Sequence, residues 1–520
     1  MSALNLPLAG PARALRLEFK RNAVPYLLPL LAAVFYFNTV RTADGFPPIW
    51  SSRASVIGDH MLFEFGAFAG GLAAWAGSRE GRRKTRDLVA TTPRAAWGRL
   101  SVALAGTLCW LMLAFMAGVA YIYIRTALQA TWGGPPLWPI FVGAAGVTVI
   151  TVIGFTCGVV FPGRFTAPLV AVGTLLLYQA GFHAMLSLQP GQSTYALLSP
   201  AGAPPNIDAG VYYPTAPDQS IVQVMLMGGI ALALFGALGL APELRRLASA
   251  RGLASLRGEF ARGDSWLLRT VAVVLIACGA AAAGTAVSLA GTARPDTIAS
   301  GWEIPALHSA ASDRPLPAAQ ACTSSPAGGS ALQVCVHQVY SYYLHDVAAA
   351  LDPVAAEIAG LPGAPVRATE VYSLRDGEPV MSGISGNPPV FDFTADHVGN
   401  MFGQFYGIPD SAAWRAGFQG GLLDAFLTGS QGGTHQTTGS AQAASAQQAV
   451  EDALLAVVGT SPSDVGGYDL LGNQPSAATL APVGAATRRF LALSVTERHT
   501  WLATHLGALR AGTLTLAQIP

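Results

Sequence analysis

The sequence predicts a polytopic α-helical membrane protein of about seven spans, joined to a mostly α, α+β domain outside the membrane. Three observations predict it. First, the 520 residues are 52% apolar and only 11% charged, against about 25% charged in an ordinary soluble chain. Second, the apolar residues fall in long blocks with the charges between them. Third, the formal net charge of +1 hides a split. Residues 1–291 carry 21 basic and 11 acidic side chains, and residues 292–520 carry 9 and 18. A cationic membrane half and an anionic tail are expected in different compartments. The same numbers exclude fibrous and disordered classes.

The elements follow in chain order. Residues 1–22 form a cytoplasmic arm whose stretch 11–22 reads as an amphipathic helix. Ala12, Leu15 and Phe19 share one face, and Arg13, Arg16 and Lys20 another. Such a helix lies in the headgroup layer with its apolar face down; the alternative is a disordered basic arm. Residues 23–291 form the transmembrane domain. About 20 apolar helical residues cross a ~30 Å hydrocarbon core, and the segments 23–40, 60–77, 99–124, 138–161, 165–187, 221–241 and 268–291 qualify. Pro25 and Pro29 in the first are tolerated in membrane helices. Gly66 and Gly70 form a pair of small residues suited to close helix packing. The last segment, rich in small residues from Ala280 to Ala286, is expected to pack on its neighbours.

Arginine placement sets the orientation. With the N-terminus in the cytoplasm, 18 Lys and Arg flank the spans on that side, and only Arg41, Arg53 and Arg125 lie outside. Cytoplasmic loops are enriched in these residues. No cleavable signal peptide is expected. An odd number of spans then leaves the C-terminal half extracytoplasmic, in a multi-pass protein of the cytoplasmic membrane.

Residues 292–335 read as a linker. Cys322 and Cys335 are 13 apart in an oxidising compartment, so they are expected to form a disulfide that closes a Pro/Gly/Ser-rich loop, the alternative being two free buried thiols. Cys109, Cys157 and Cys278 lie inside predicted spans. The extracytoplasmic α-rich domain covers 336–520. Val336, Val339, Tyr343, Val347 and Leu351 have helical spacing over 336–351. Asp352-Pro353 reads as the cap and first position of a second helix, 353–360. A strand is expected over 364–374, and one or two more within 380–393. Helices are expected at 395–406, 410–428, 439–458 and 494–510, the last opened by a Ser494/Glu497 capping box. The Gly/Ser/Thr/Gln-rich stretch 429–440 reads as a linker.

Several chemistries fail on residue type. The only lysines are Lys20 and Lys84, and neither follows a glycine, so no P-loop is present. There is no His-Glu-x-x-His. Gly383-Ile384-Ser385-Gly386-Asn387 departs from the Gly-x-Ser-x-Gly elbow at its last position. His499 and His505 are six apart on one helix, about 240° around its axis, and cannot chelate one ion unaided. No catalytic residue, cofactor, metal site or nucleic-acid partner is expected; energy must come from a partner or a gradient. Two membrane residues stand out. Glu64, four residues into the second segment, is either a functional intramembrane carboxylate or an interfacial residue if the span begins later. His183, near the end of the fifth segment, poses the same choice.

The loop Ser78–Arg94 is the most informative stretch. It is basic, amphipathic and of a length to lie along the membrane face, where it could dock a soluble motor. Its arginines could equally set topology and contact anionic lipid alone. The loop resembles the coupling loop of ATP-binding-cassette permeases of the type-2 exporter class, in which Arg-Glu…Thr…Leu-Leu…Thr/Ser-Pro follows the second span. The matching positions are Arg79, Glu80, Thr85, Leu88, Thr92 and Pro93, set among Arg82, Arg83 and Arg86; Lys84 stands where a glycine is usual. The arm at 11–22 resembles that class's interfacial helix. The external half resembles C-terminal domains of large actinobacterial membrane proteins encoded among such transporters, on Val334–His337, Ala355–Arg367 and Leu509–Leu514.

The resemblance implies a membrane subunit driven by a separate ATPase docked at 79–94. It implies pairing as a homo- or heterodimer, and no cofactor. Six spans are usual in that class, so the seventh would carry the external domain. Two other readings remain: a membrane-anchored receptor or sensor whose external domain binds a ligand, and a degenerate external peptidase-like domain.

Overall fold

The computed structural model describes residues 9–22, 24–41, 48–58, 62–83, 96–186, 198–199, 217–248, 266–291, 294–295, 303–304, 307, 319–324, 332–371, 374–375, 378–379, 383–393, 412–429, 441–461 and 477–520. The chain forms two compact units, Met1–Arg314 and Pro315–Pro520.

The first unit is helical. Helix α1 (Ala9–Arg21) is followed by α2 (Val24–Phe35), which widens into a π turn at Tyr36–Val40. Then come α3 (Trp50–Val56), α4 (Leu62–Gly77), a single turn at Arg79–Arg82, α5 (Ala96–Gln129), α6 (Trp138–Val160), α7 (Thr166–Leu186), α8 (Asp218–Ala248) and α9 (Trp266–Ala290). Every one of the seven apolar segments carries a helix. Four helices, α5, α6, the Asp218–Leu240 part of α8, and α9, are long and apolar enough to cross a bilayer, which makes this a multi-pass membrane protein. The apolar stretches Val24–Phe35 and Thr166–Gly181 are shorter. Large apolar side chains such as Leu128, Leu169, Leu177 and Leu267 stand exposed, as lipid-facing residues do.

Helices in lipid gain little from apolar burial against each other and rely on close packing. The sequence meets this with two glycine seams. Between α4 and α6, a Cβ added to Gly154 would lie 2.3 Å from the Gly70 carbonyl oxygen, and one on Gly158 would lie 2.1 Å from that of Ala74. Gly66 and Gly70 thus sit in a close crossing, facing Ile150 of α6 and Thr174 of α7. Between α8 and α9, a Cβ on Gly229 would meet the Gly279 oxygen at 2.6 Å, and one on Gly236 the Ala272 oxygen at 2.7 Å. Of the small residues of the seventh segment, Ala272, Gly279 and Ala283 thus pack on α8, whereas Ala280, Ala281 and Gly284 are exposed.

The second unit holds a five-stranded mixed sheet with helices. Its strands are β1 (Gln320–Ser324), β2 (Gln333–His337), β3 (Arg367–Glu370), β4 (Gly383–Ser385) and β5 (Val390–Phe393), in the order β1-β2-β3-β5-β4. The pairs β1–β2 and β4–β5 are antiparallel, and β2–β3 and β3–β5 are parallel. The helices are α10 (Leu344–Ile358), α11 (Ala412–Thr428), α12 (Ala441–Val457), α13 (Ala477–Leu491) and α14 (Val495–Arg510). A 3-10 turn, Gln338–Tyr343, leads from β2 into α10, which crosses back to the parallel β3. Phe391 and Phe393 of β5 point inward with Phe418 and Phe426 of α11 and Phe490 of α13, all nearly inaccessible.

Several expectations meet the structure here. Helix 494–510 starts at Val495 with both halves of the Ser494/Glu497 box formed. Helices 410–428 and 439–458 appear as α11 and α12, and the strands within 364–374 and 380–393 as β3, β4 and β5. The helix at 395–406 lies outside the described residues. The break at Asp352-Pro353 is corrected: α10 is one helix with Pro353 inside it. An interior proline costs roughly 3 kcal/mol. Here Val347, Leu351, Val354 and Ile358 form one buried stripe across it, and that burial, at about 1.5–3 kcal/mol per side chain, outweighs the loss. The Cys322–Cys335 disulfide forms, but its cysteines are direct partners on adjacent strands, with Cα atoms 4.1 Å apart. The sequence expects there only the ends of a loop.

Candidate functional site at a cationic helix junction

The predicted loop begins where α4 ends. Ser78 is buried, and its hydroxyl donates to the Trp75 carbonyl at 3.1 Å. The backbone continues in helical conformation through Ser78, whose amide bonds to Ala74 and whose carbonyl accepts from Arg82, into the short turn Arg79–Arg82. Of the loop residues the sequence singles out, Arg79, Glu80, Arg82 and Arg83 are described. Thr85, Arg86, Leu88, Thr92 and Pro93 lie outside the described residues.

Each described cation has a defined neighbour. Arg79 donates two hydrogen bonds to Glu18 of α1, Nη1 to Oε2 at 2.9 Å and Nη2 to Oε1 at 2.7 Å. These bonds hold the Arg79 guanidinium above its ordinary pKa, against the opposing effect of burial. Glu80 lies 3.8 Å from Arg99 in the first turns of α5. Arg82 folds back over the Trp75 ring, its guanidinium carbon 3.3 Å from the centroid, and donates to the Trp75 carbonyl at 2.9 Å. Burial, with Arg83 beside it, lowers the Arg82 pKa. Arg83 is exposed and caps the turn.

Around these pairs α1 is fastened to α5. The Phe19 ring stacks on Trp110 at 4.2 Å, and Trp110 Nε1 donates to the Phe19 carbonyl at 2.8 Å. Asn22 Nδ2 donates to Thr107 Oγ1 at 3.1 Å, and Asn22 Oδ1 accepts from the Val24 amide, capping α2. Gly106 lets α1 approach: an added Cβ there would stand 3.2 Å from Glu18 Cβ. The arm therefore differs from the expected interfacial helix in one respect. Phe19, on its apolar face, is stacked on protein, because Trp110 offers a partner.

Glu64 sits half-buried in the first turn of α4. His183 is exposed in the last turn of α7, its Nε2 2.9 Å from Gln179 Nε2. Neither joins the junction. In the second unit, Ser385 Oγ donates to Asp392 Oδ2 at 2.9 Å, and burial raises the Asp392 pKa despite that bond. His337 Nδ1 accepts from the Val339 amide, and Glu370 accepts the His337 amide at 2.7 Å. These contacts close the β2–β3 end of the sheet. Among the described residues no group of three or more His, Cys, Asp or Glu side chains could hold a metal.

Sequence reasoning missed Glu18, Asn22, Arg99, Thr107 and Trp110. One signal was present: Glu18 is the lone acid of a basic arm, and it shares a helical face with Leu15, Phe19 and Asn22. Comparison with known proteins finds no match among family models, curated proteins or solved structures.

Proposed function

We propose that the chain is the membrane-spanning subunit of an ABC exporter-like complex, moving its substrate across the cytoplasmic membrane with energy from a separate ATPase. In this reading α2 and α4 to α9 are the seven spans, the N-terminus is cytoplasmic and the second unit lies outside. The charge split and the arginine-rich flanks support that orientation. The observation that carries the reading is the double hydrogen bond from Arg79 to Glu18, with Arg99 beside Glu80. A motor docked on residues 79–94 would push on a turn tied to α1 by one ion pair, to α5 by another, and to α4 by the chain itself. A displacement there reaches three helices at once.

The test is co-purification from membranes of the native host. An ATPase should accompany the wild type and be lost when Arg82, Arg83 and Arg86 are reversed to Glu. Absence of an associated ATPase under conditions that keep the chain folded would overturn the proposal.

A further inference from the structure

The structure divides α1 into two stripes. Leu15, Glu18, Phe19 and Asn22, spaced i, i+3, i+4 and i+7, form the inner one. Glu18, Phe19 and Asn22 are bonded or stacked to Arg79, Trp110 and Thr107. Arg13, Arg16, Leu17 and Lys20 repeat the same spacing on the other side, and all four are exposed, Leu17 by 52%. The outer stripe holds three cations, one leucine and no acid. The one carboxylate of α1, Glu18, is committed to Arg79 on the inner side. Asn22 accepts the first amide of the apolar helix α2, so the outer stripe, ending at Lys20, stops four residues before an apolar helix.

We propose that this outer stripe is a docking surface for anionic phospholipid headgroups. Arg13, Arg16 and Lys20 meet the phosphates, and Leu17 enters between the headgroups. The occupant is set by charge complementarity and by continuity with α2. Three cations around one leucine, beside an apolar helix, match an acidic lipid surface. Because the inner stripe is fastened to the protein, α1 presents its cations in a fixed plane instead of as a loose arm.

The test uses the full chain in nanodiscs of equal phosphatidylcholine and phosphatidylglycerol, with retained lipid read by native mass spectrometry. The wild type should retain phosphatidylglycerol selectively. Selectivity should fall by about fivefold for each cation removed at low salt in Arg13→Ala, Arg16→Ala and Lys20→Ala, and fade as salt rises. Arg125→Ala, a half-buried arginine of α5 that donates to the Tyr121 hydroxyl at 3.2 Å, serves as the control and should leave selectivity unchanged. Melting in pure phosphatidylcholine should be the same for wild type and triple variant, which separates lipid loss from misfolding. Wild-type selectivity in the triple variant would overturn the proposal. So would loss of a co-purifying protein with lipid selectivity intact, which would give the stripe to a protein partner. So would equal stabilisation of the wild type in neutral lipid by millimolar inorganic phosphate, which would indicate an anion pocket.

Discussion

Gly158→Ala tests the packing of the membrane unit most directly. The added methyl would stand 2.1 Å from the Ala74 carbonyl oxygen and 2.9 Å from both the Ala74 carbonyl carbon and the Ser78 amide nitrogen. All three are backbone atoms, so no side chain can swing aside. Relief requires α4 and α6 to part locally by about 1 Å, in a seam where Phe155 is fully buried. Overpacking of this kind costs about 1–3 kcal/mol, and apolar burial in lipid cannot repay it. The control is Gly173→Ala in α7, where nothing lies within 4 Å and removing a helical glycine should gain about 0.5–1 kcal/mol. The assay is unfolding of the purified full chain in mixed micelles of rising dodecyl sulfate fraction. Gly158→Ala should unfold at a lower fraction than wild type, and Gly173→Ala at the same or a higher one. Gly70→Ala, whose nearest neighbours are side-chain atoms at 3.0 Å and beyond, should fall between. Equal midpoints for Gly158→Ala and Gly173→Ala would refute the close-crossing account.

Three further outcomes follow from the geometry. Glu18→Gln removes the carboxylate from a half-exposed ion pair and should cost only about 1 kcal/mol of stability; under the proposed exporter function it should also uncouple ATP turnover from transport, and unchanged coupling would show that α1 does not relay motion. Cys322→Ser with Cys335→Ser removes a link across 13 residues, worth about 3 kcal/mol in the chain-entropy model. It should speed amide exchange in β1 and β2, and the wild-type pair should resist thiol label until reduced. Asp452 is pushed up to about 6 by burial, and Glu451 is raised by burial and by Asp424 and Asp452. A folded pKa above the unfolded 3.8 favours the protonated form, so the stability Asp452 lends is full below about pH 4 and lost as pH rises through 6. Discounted for partial exposure, that is about 1–2 kcal/mol. Exchange in α11 and α12 should therefore quicken from pH 5 to pH 8, after correction for intrinsic rates, and Asp452→Asn should flatten the change.

How far the sequence reaches differs between the two units. The apolar segments were legible as helices because each spends nearly its whole length on one kind of residue, and four of those helices, α5, α6, α8 and α9, are long and apolar enough to cross a bilayer; the expected count of seven spans goes beyond these four. The capping box at Ser494 was legible because it needs only residues three apart. Strands β1 and β2 were not. Gln-Ala-Cys-Thr-Ser shows no apolar alternation, and β2 is buried at consecutive positions from Val334 to His337, so it carries no alternation of exposure either. The parallel pairing of β2 with β3 joins positions more than thirty residues apart, beyond any local pattern. Helix α13, with Pro482 inside it, was missed because Ala-rich sequence with a proline carries a weak periodic signal.

By itself the sequence determined which stretches are apolar enough to form long helices, which loops between them collect cations, and which two cysteines pair. Those properties are sums over local residues and need no knowledge of neighbours. Only the tertiary structure decided that Glu18 meets Arg79 across 61 positions, that Trp110 stacks on Phe19 of α1, and that Gly154 and Gly158 rest on the backbone of α4. Contacts of that kind depend on which faces the helices turn to each other, and a linear pattern leaves that choice open until packing makes it.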